Sequence, residues 1–450
     1  SEMGRDELRR DDRQRLVVIG NGMAGARTIE EILQRGGGDR FAITVFGEEP
    51  YGNYNRILLS NVLARSQDPQ DIFINPLDWY RENGVALNAG VRVRGIERRG
   101  RRIFREDGLE DRYDVLVLAT GSRAFVPPFQ GLTGDDGGYK KGIFVFRTIE
   151  DCNAIIEHSD TARKAVVIGG GLLGLEAARG LLELRVPEVH IVHLMSHLME
   201  MQMDEPGSEI LMRRLHDLGL QVHLRKATRE ILGEGRVTGL RFDDGTMLDC
   251  DMVIVSAGIR PNAELARNAG LAVDRGMVVG DDLRSPDDHH IYGIGECVEH
   301  RGTTYGLVAP LWDQARVLAE RLADKDPEAE YHGSRLATKL KVAGVDLSVM
   351  GEHTARPEDE EIHYVEKSRG IYKKLLVRDG RLAGAILLGE TSRGAHLLQL
   401  FDRGQLVPES RAELLFPATA GAEPKVEDLS DDTQICNCNG VTKGQLVGAI

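Results

Sequence analysis

Three groups of residues in this 450-residue sequence could carry chemistry. Gly20, Gly22 and Gly25 form a G-x-G-x-x-G run, and Gly169, Gly171 and Gly174 repeat it about 150 residues later. Glycine at these places permits a tight turn, lets a pyrophosphate approach the backbone and lets a helix pack on a strand. The helix behind such a turn offers unpaired N–H groups to phosphate oxygens. An acid beyond the next strand would accept hydrogen bonds from a ribose. After the first turn that acid is Glu48, with a solvated loop carboxylate as the alternative. After the second turn the residue is His193, with an ordinary packed histidine as the alternative. No basic pair follows it, so the balance tips to NADH over NADPH. Near the end, Cys436 and Cys438 form a C-x-C pair. Two thiolates begin a metal site, but a tetrahedral metal or an iron–sulfur cluster takes four ligands. Two idle thiols are the alternative.

These residues need particular elements to hold them. Leu16 to Ile19 is a short apolar run bounded by glycine, which reads as a buried parallel strand, and Thr28 to Leu33 continues as a helix. The second turn lies between a strand from Ala165 to Ile168 and a helix from Leu175. Two such units in strand–turn–helix context imply two dinucleotide sites in two domains. The stretches DVLVLATGSRAFVPP and MVIVSAGIRPN are strands that end in Ala119-Thr120-Gly121 and Ser256-Ala257-Gly258. The stretch HIYGIGEC is a strand ending in Gly295-Glu296, and VAPLWDQARVLAERLA reads as an amphipathic helix with Pro310 in its first turn. From about Leu336 the pattern changes to alternating strands, as in an α+β domain. The fold class expected is therefore α/β: two Rossmann-like dinucleotide-binding domains plus a C-terminal α+β domain.

Composition narrows the function classes. The formal net charge of −14 argues against nucleic acid or anionic membrane as partners. No run of about 18 apolar residues predicts a membrane span. The polar opening SEMGRDELRRDDRQR predicts no secretory signal. Five cysteines suit a reduced, cytoplasmic chain better than a disulfide framework. The DDHH at Asp287 to His290 reads as a solvated turn, and the YKKLL basic pair as a strand edge.

Together the glycine turns, ATGSRAFVPP, SAGIRPN and IYGIGEC resemble the pyridine nucleotide–disulfide oxidoreductase class. The resemblance implies FAD on the first Rossmann domain and NADH or NADPH on a second, inserted one. It divides the chain into an FAD domain over 1–150 and 276–330, a NAD(P)H domain over 151–275, an α+β domain over 331–415, and a linker with the start of a [2Fe–2S] domain over 416–450. It places Thr120 and Gly121 against FAD, Glu296 on the flavin ribityl or pyrophosphate, and Gly258 in the nicotinamide nucleotide site. It also puts Met23, Ala24, Val93, Ala119, Gly295 and Trp312 among the cofactor-binding residues, together with Leu172, Leu173 and Ala257. Glu176 would face the nicotinamide as the catalytic acid, with a helix-surface acid as the alternative.

No cysteine precedes Cys152, so the redox disulfide of that class is not expected. The stretch YGNYNRILLSNVLA occupies its place and is similar to ferredoxin reductase-like flavoproteins, with Arg56 and Ser60 at flavin-contacting positions and Asn61 where a lysine often stands. More narrowly, VHLMSHLMEMQMD, ATKLKVAGVDLSVMGE, GAILLGETSRGAHLLQLF and ICNCNGVTKG resemble the N-terminal half of assimilatory-type NAD(P)H nitrite reductase large subunits. That resemblance implies a [2Fe–2S] cluster in the full-length protein only. Cys436 and Cys438 would be two ligands, with a C-x-x-C further on. The electrons would continue to a siroheme and [4Fe–4S] domain or a small subunit. The flavoprotein subunit of assimilatory nitrate reductase, an NADH oxidase or rubredoxin reductase, and a non-catalytic flavin sensor stay open, as does a homodimer.

Overall fold

The computed structural model describes residues 12–416, 430–436 and 441–449. The chain divides into two compact units, one of residues 1–55, 73–123 and 260–334, the other of 56–72, 124–259 and 335–450.

The first unit opens with β1 (Gln14–Ile19), α1 (Met23–Gln34) and β2 (Phe41–Gly47). β1 lies between β2 and the strand Val115–Leu118, parallel to both. Its inner residues Leu16, Val17 and Val18 are buried, as expected of a strand covered on both faces. Strands Ala86–Ala89 and Asp288–Gly293 extend this parallel array, and Arg284–Ser285 adds an antiparallel edge. The helix Val308–Leu322 shares one apolar core with α1, through Ile29 and Ile32 on one side and Leu318 and Leu322 on the other.

The second unit repeats the plan with β3 (Lys164–Ile168), α2 (Leu172–Glu183) and β4 (Glu188–Val192). Its five-stranded parallel sheet runs Ile143–Val145, Met252–Val255, β3, β4, Gln221–His223. After β4 a loop leads to α3 (Glu205–Asp217), which Asp204 caps by accepting the Gly207 N–H at 3.2 Å. The same unit holds an antiparallel sheet of β5 (Ala337–Val342), β6 (Val345–Gly351), β7 (Glu360–Glu366), β8 (Ile371–Arg378) and β9 (Arg381–Leu388), in the order β5-β6-β9-β8-β7. The helix Gly394–Arg403 covers one face through Leu397 and Phe401.

Three boundaries differ from the sequence-based division, for packing reasons. Residues 56–72 and 124–150 group with the second unit rather than the first. The strand Ile143–Val145 pairs in parallel with Met252–Val255. The helix Leu59–Leu63 packs on α2, where a Cβ on Gly180 would meet Leu63 Cδ2 at 2.7 Å. Residues 260–275 group with the first unit, where Ala266 and Leu271 join its core.

The YKKLL pair is also placed differently. β8 is an interior strand, and Lys373 and Lys374 are buried on opposite faces. Each meets an acid: Lys373 with Glu390, and Lys374 with Asp204 at 3.0 Å. Burial works against the charged form of Asp204, but the Tyr372 hydroxyl and Lys374 outweigh it and hold the carboxyl below its usual range.

Candidate functional site

The two glycine turns have one geometry. Gly20 adopts φ +112°, and a Cβ there would lie 1.9 Å from the Ala119 carbonyl oxygen. Gly169 adopts φ +119°, and its Cβ would lie 1.9 Å from the Ser256 oxygen. A side chain on Gly25 would strike the Gly20 oxygen at 2.2 Å, and one on Gly174 the Gly169 oxygen at 2.0 Å. The middle glycines face open space instead: Gly22 and Gly171 have no atom within 4 Å of a would-be Cβ. The outer glycines thus let neighbouring chain close in, and the middle ones leave a cradle for a ligand. α1 and α2 both start without a side-chain cap, so their first N–H groups point toward the turns with no side chain in the way.

In the first unit, Met23 and Ala24 are buried in the first turn of α1, and the Ala24 Cβ lies 2.9 Å from a would-be Cβ on Gly295. Ala119 is buried beside Gly20, and Val93 belongs to the core. Thr120 Oγ1 donates to the Asn262 carbonyl at 2.6 Å, and Asn262 Nδ2 donates back to the Thr120 carbonyl at 2.9 Å. The Asn262 N–H reaches the Gly121 oxygen at 2.9 Å. The ATG and RPN stretches are therefore laced together, and Gly121 keeps open space on its Cα side. The Ser122 hydroxyl donates to Glu296, and Gln314 Oε1 accepts the Gly295 N–H at 2.7 Å. Trp312 is buried under the Arg27 guanidinium, 5.1 Å from the ring centroid. Glu48 lies exposed just past β2, 3.4 Å from Arg92.

Sequence reading missed Asn21. Its Oδ1 accepts from the Tyr80 hydroxyl at 2.5 Å, and its Nδ2 is buried with no partner among the described residues. A buried amide left unpaired on the phosphate turn is a place for a ligand oxygen. The open cradle at Gly22 and this donor fit a bound dinucleotide such as FAD.

In the second unit, Leu172 and Leu173 open α2, with Leu173 exposed. Ala257 and Gly258 follow the strand Met252–Val255, and Gly258 has φ +104° and open space beside it. His193 is where the sequence placed it, one residue past β4, but both ring nitrogens are engaged within the protein. Nδ1 accepts the Gly170 N–H at 2.9 Å, and Nε2 lies 2.8 Å from Glu200. The packed-histidine alternative is the one this geometry favours.

Glu176 on α2 lines a cavity of about 170 Å³ with Ser60, Asn61 and Arg179. Its Oε1 accepts the Ala343 N–H at 3.3 Å. Burial pushes the Glu176 carboxyl up from its usual value, and the Ala343 N–H, Arg179 and the Ser60 hydroxyl offset this only in part. Ser60 and Arg56, expected at the flavin, thus belong to the second unit, where Arg56 donates to the Arg147 carbonyl at 3.0 Å. Asn61 donates to Gln67 at 2.8 Å.

The remaining cysteines are isolated. Cys152, Cys250 and Cys297 are free and buried; burial pushes the first two thiols up to about 12, and that of Cys297 upward too. Cys297 is the one cysteine of the first unit, so its described residues hold no dithiol. Cys436 ends the strand Gln434–Cys436, and Cys438 lies outside the described residues. The DDHH stretch begins a strand, and its Asp288 pairs with Arg98 at 3.0 Å. Asp281, Glu330 and His332 bring ligand atoms within 4.8 Å of one another. Arg301 and His300 already occupy the Asp281 oxygens, which makes this a salt-bridge cluster. No helix among the described residues is long and apolar enough to cross a membrane.

Comparison with known proteins agrees with this fold. Residues 14–316 match the family described as pyridine nucleotide-disulphide oxidoreductase, and residues 337–405 match the rubredoxin NAD+ reductase C-terminal domain. The chain is 42% identical to nitrite reductase [NAD(P)H] of Bacillus subtilis (strain 168), over 97% of this chain and 53% of that protein. It is 39% identical to the assimilatory nitrate reductase electron transfer subunit of the same organism, over 97% of this chain and 55% of that one. It therefore spans about half the length of these relatives. A ferredoxin reductase for the CYP199A2 system from Rhodopseudomonas palustris superposes with TM-score 0.78 at 26% identity, covering 88% of this chain and 96% of that one.

Proposed function

Because this chain belongs to the pyridine nucleotide-disulphide oxidoreductase family, we propose that it is an FAD-dependent NAD(P)H dehydrogenase module. In this reading it feeds electrons from NAD(P)H toward a nitrite-reducing centre elsewhere in a longer protein. The observation that carries the reading is the duplicated glycine turn, each copy with a backbone cradle open at its middle glycine. FAD, when bound, supplies a centre that takes two electrons together and releases them singly.

The chain's own residues bind and orient. The first turn and the N-terminus of α1 take the FAD pyrophosphate, and Glu48 takes its ribose. Thr120 and Gly121, locked by Asn262, form a fixed wall beside the cofactor. Glu296, held by Ser122, offers a carboxylate to the flavin chain. The helix Val308–Leu322 has no side-chain cap, and its positive end would stabilise negative charge on the reduced ring. The second turn and α2 take the nicotinamide nucleotide, with Glu176 as a carboxylic acid on the same helix. Cys297 alone gives no dithiol, so the electrons leave by a route other than a flavin-linked disulfide. That route is a [2Fe–2S] centre in the longer protein, with Cys436 and Cys438 as two of its ligands.

A second reading, the electron-transfer subunit of an assimilatory nitrate reductase, has the support of the second relative. The test is optical. The purified protein is expected to be yellow and to bleach on anaerobic addition of NADH. A protein that takes up no flavin on reconstitution would sink both readings. Reduction of nitrite by the longer protein, with siroheme present, separates the first from the second.

A further inference from the structure

The second dinucleotide turn lacks a carboxylate at the place where a ribose needs one. His193 stands about 20 residues beyond the glycines, in the acid's usual position, and its ring has no free nitrogen. Its two bonds nevertheless have a direction. The Gly170 N–H donates to Nδ1, so Nδ1 carries no hydrogen. The neutral ring then holds its proton on Nε2, which donates to Glu200 Oε2 at 2.8 Å. A carboxylate is thereby tied, through one imidazole, to the phosphate turn itself.

The loop after β4 is built to bring that carboxylate back. The Met199 N–H donates to the Gly170 oxygen at 2.9 Å, so both backbone groups of Gly170 hold this loop. Met199 is buried and adopts φ +53°. Leu198 and Met203 are buried on either side. A Cβ on Gly170 would lie 2.4 Å from Leu198 Cδ2 and 2.8 Å from His193 Cγ. This accounts for Gly170, the middle glycine of the GGG run, which the dinucleotide pattern does not require. Glu200 itself stays partly open, its side chain 28% exposed. In the same loop Leu194, Met195 and Met201 are exposed apolar side chains, suited to the face of an adenine.

We propose that Glu200, positioned by His193, accepts the 2′-hydroxyl of the adenosine ribose and makes this site selective for NADH over NADPH. The proposal rests on the reading of the second turn as the NAD(P)H site. A 2′-phosphate would meet a like charge there instead of an acceptor. Arg225 is the rival group, since its N–H reaches the Met195 oxygen at 3.1 Å and brings a cation to the same loop.

The test is anaerobic stopped-flow reduction of the FAD-loaded protein by NADH, NADPH and NADH lacking the adenosine 2′-hydroxyl. The native protein is expected to favour NADH over both others by roughly 10- to 100-fold in apparent affinity, the range of a hydrogen bond to a charged group. Glu200→Gln should remove most of that preference, weakening NADH while leaving the 2′-deoxy form unchanged, with the limiting rate preserved. His193→Ala should reproduce the pattern through loss of positioning. A merely structural role would weaken all three nucleotides alike. The proposal falls if Glu200→Gln leaves the NADH preference intact, or if NADPH is the better donor and Arg225→Ala abolishes its use. Failure of every nucleotide to reduce the flavin sinks the underlying reading and this proposal with it. Reduction by NADH with no response to Glu200→Gln sinks the proposal alone.

Discussion

The Glu176 carboxyl accepts the Ala343 backbone N–H at 3.3 Å, which ties the helix of the second dinucleotide turn to the tip of the β5–β6 hairpin. Ala343 and Gly344 form that tip with φ of +48° and +82°. Two residues of positive φ make the hairpin turn whose twist matches its strands. The third sheet thus reaches an acid that α2 turns into a cavity.

The burial of Glu176 has a pH signature. Burial raises the Glu176 carboxyl above its usual value. The folded state therefore favours the protonated form. The contribution is fully present below that unfolded value and is lost as pH rises through the folded one. Glu176→Gln keeps the neutral shape at every pH. Its thermal stability should match the native protein at pH 4 and exceed it at pH 8. A difference that does not change with pH would refute the assignment.

The glycines of the second turn should separate stability from binding. Gly169→Ala puts a Cβ 1.9 Å from a backbone oxygen at φ +119°. It should cost roughly 2 kcal/mol or more in denaturant unfolding. Gly171→Ala meets no atom within 4 Å. It should leave stability within about 0.5 kcal/mol, yet raise the KM for NADH by about tenfold, equivalent to about 1.4 kcal/mol. Equal loss of stability in both variants would contradict the open cradle.

Asp204 is a structural acid with three duties. It caps α3, accepts the Tyr372 hydroxyl and pairs with Lys374, whose side chain is 8% exposed. Asp204→Asn should destabilise by about 3 kcal/mol at pH 7, because it leaves a buried ammonium poorly compensated. The Asp204 carboxyl is held below its usual value. Its stabilisation is therefore present above that value and lost as pH falls through the folded pKa. The gap between native and variant should narrow in acid, measured by unfolding at pH 7 and pH 3.

The buried thiols should be silent. Cys152, Cys250 and Cys297 are buried, with their thiols shifted upward. An aromatic disulfide reagent at pH 8 should label none of them in the native protein and all of them after denaturation. Cys297→Ser should keep NADH-driven flavin reduction. Loss of reduction in that variant would bring a thiol step back into the mechanism.

The turns were legible in the sequence because their physics is local. The spacing of Gly20, Gly22 and Gly25, set between an apolar run and a helix, is dictated by one strand, one turn and one helix start. The same holds for the second copy and for the strand ends at Gly121 and Gly258. These residues alone determined the two dinucleotide domains, and the lack of an early cysteine set the redox disulfide aside.

What only the tertiary structure decided is pairing across distance. Ser60 reaches the Glu176 cavity because Leu59–Leu63 packs on α2, which no spacing in the sequence records. Lys373 and Lys374 read as edge residues until an acid arrives on each face of β8. Glu200 sits seven positions from His193 in a loop with no periodicity, and Gly170 draws it back. Burial makes each of these charges depend on its partner, and partners are chosen by packing rather than by neighbours in the chain.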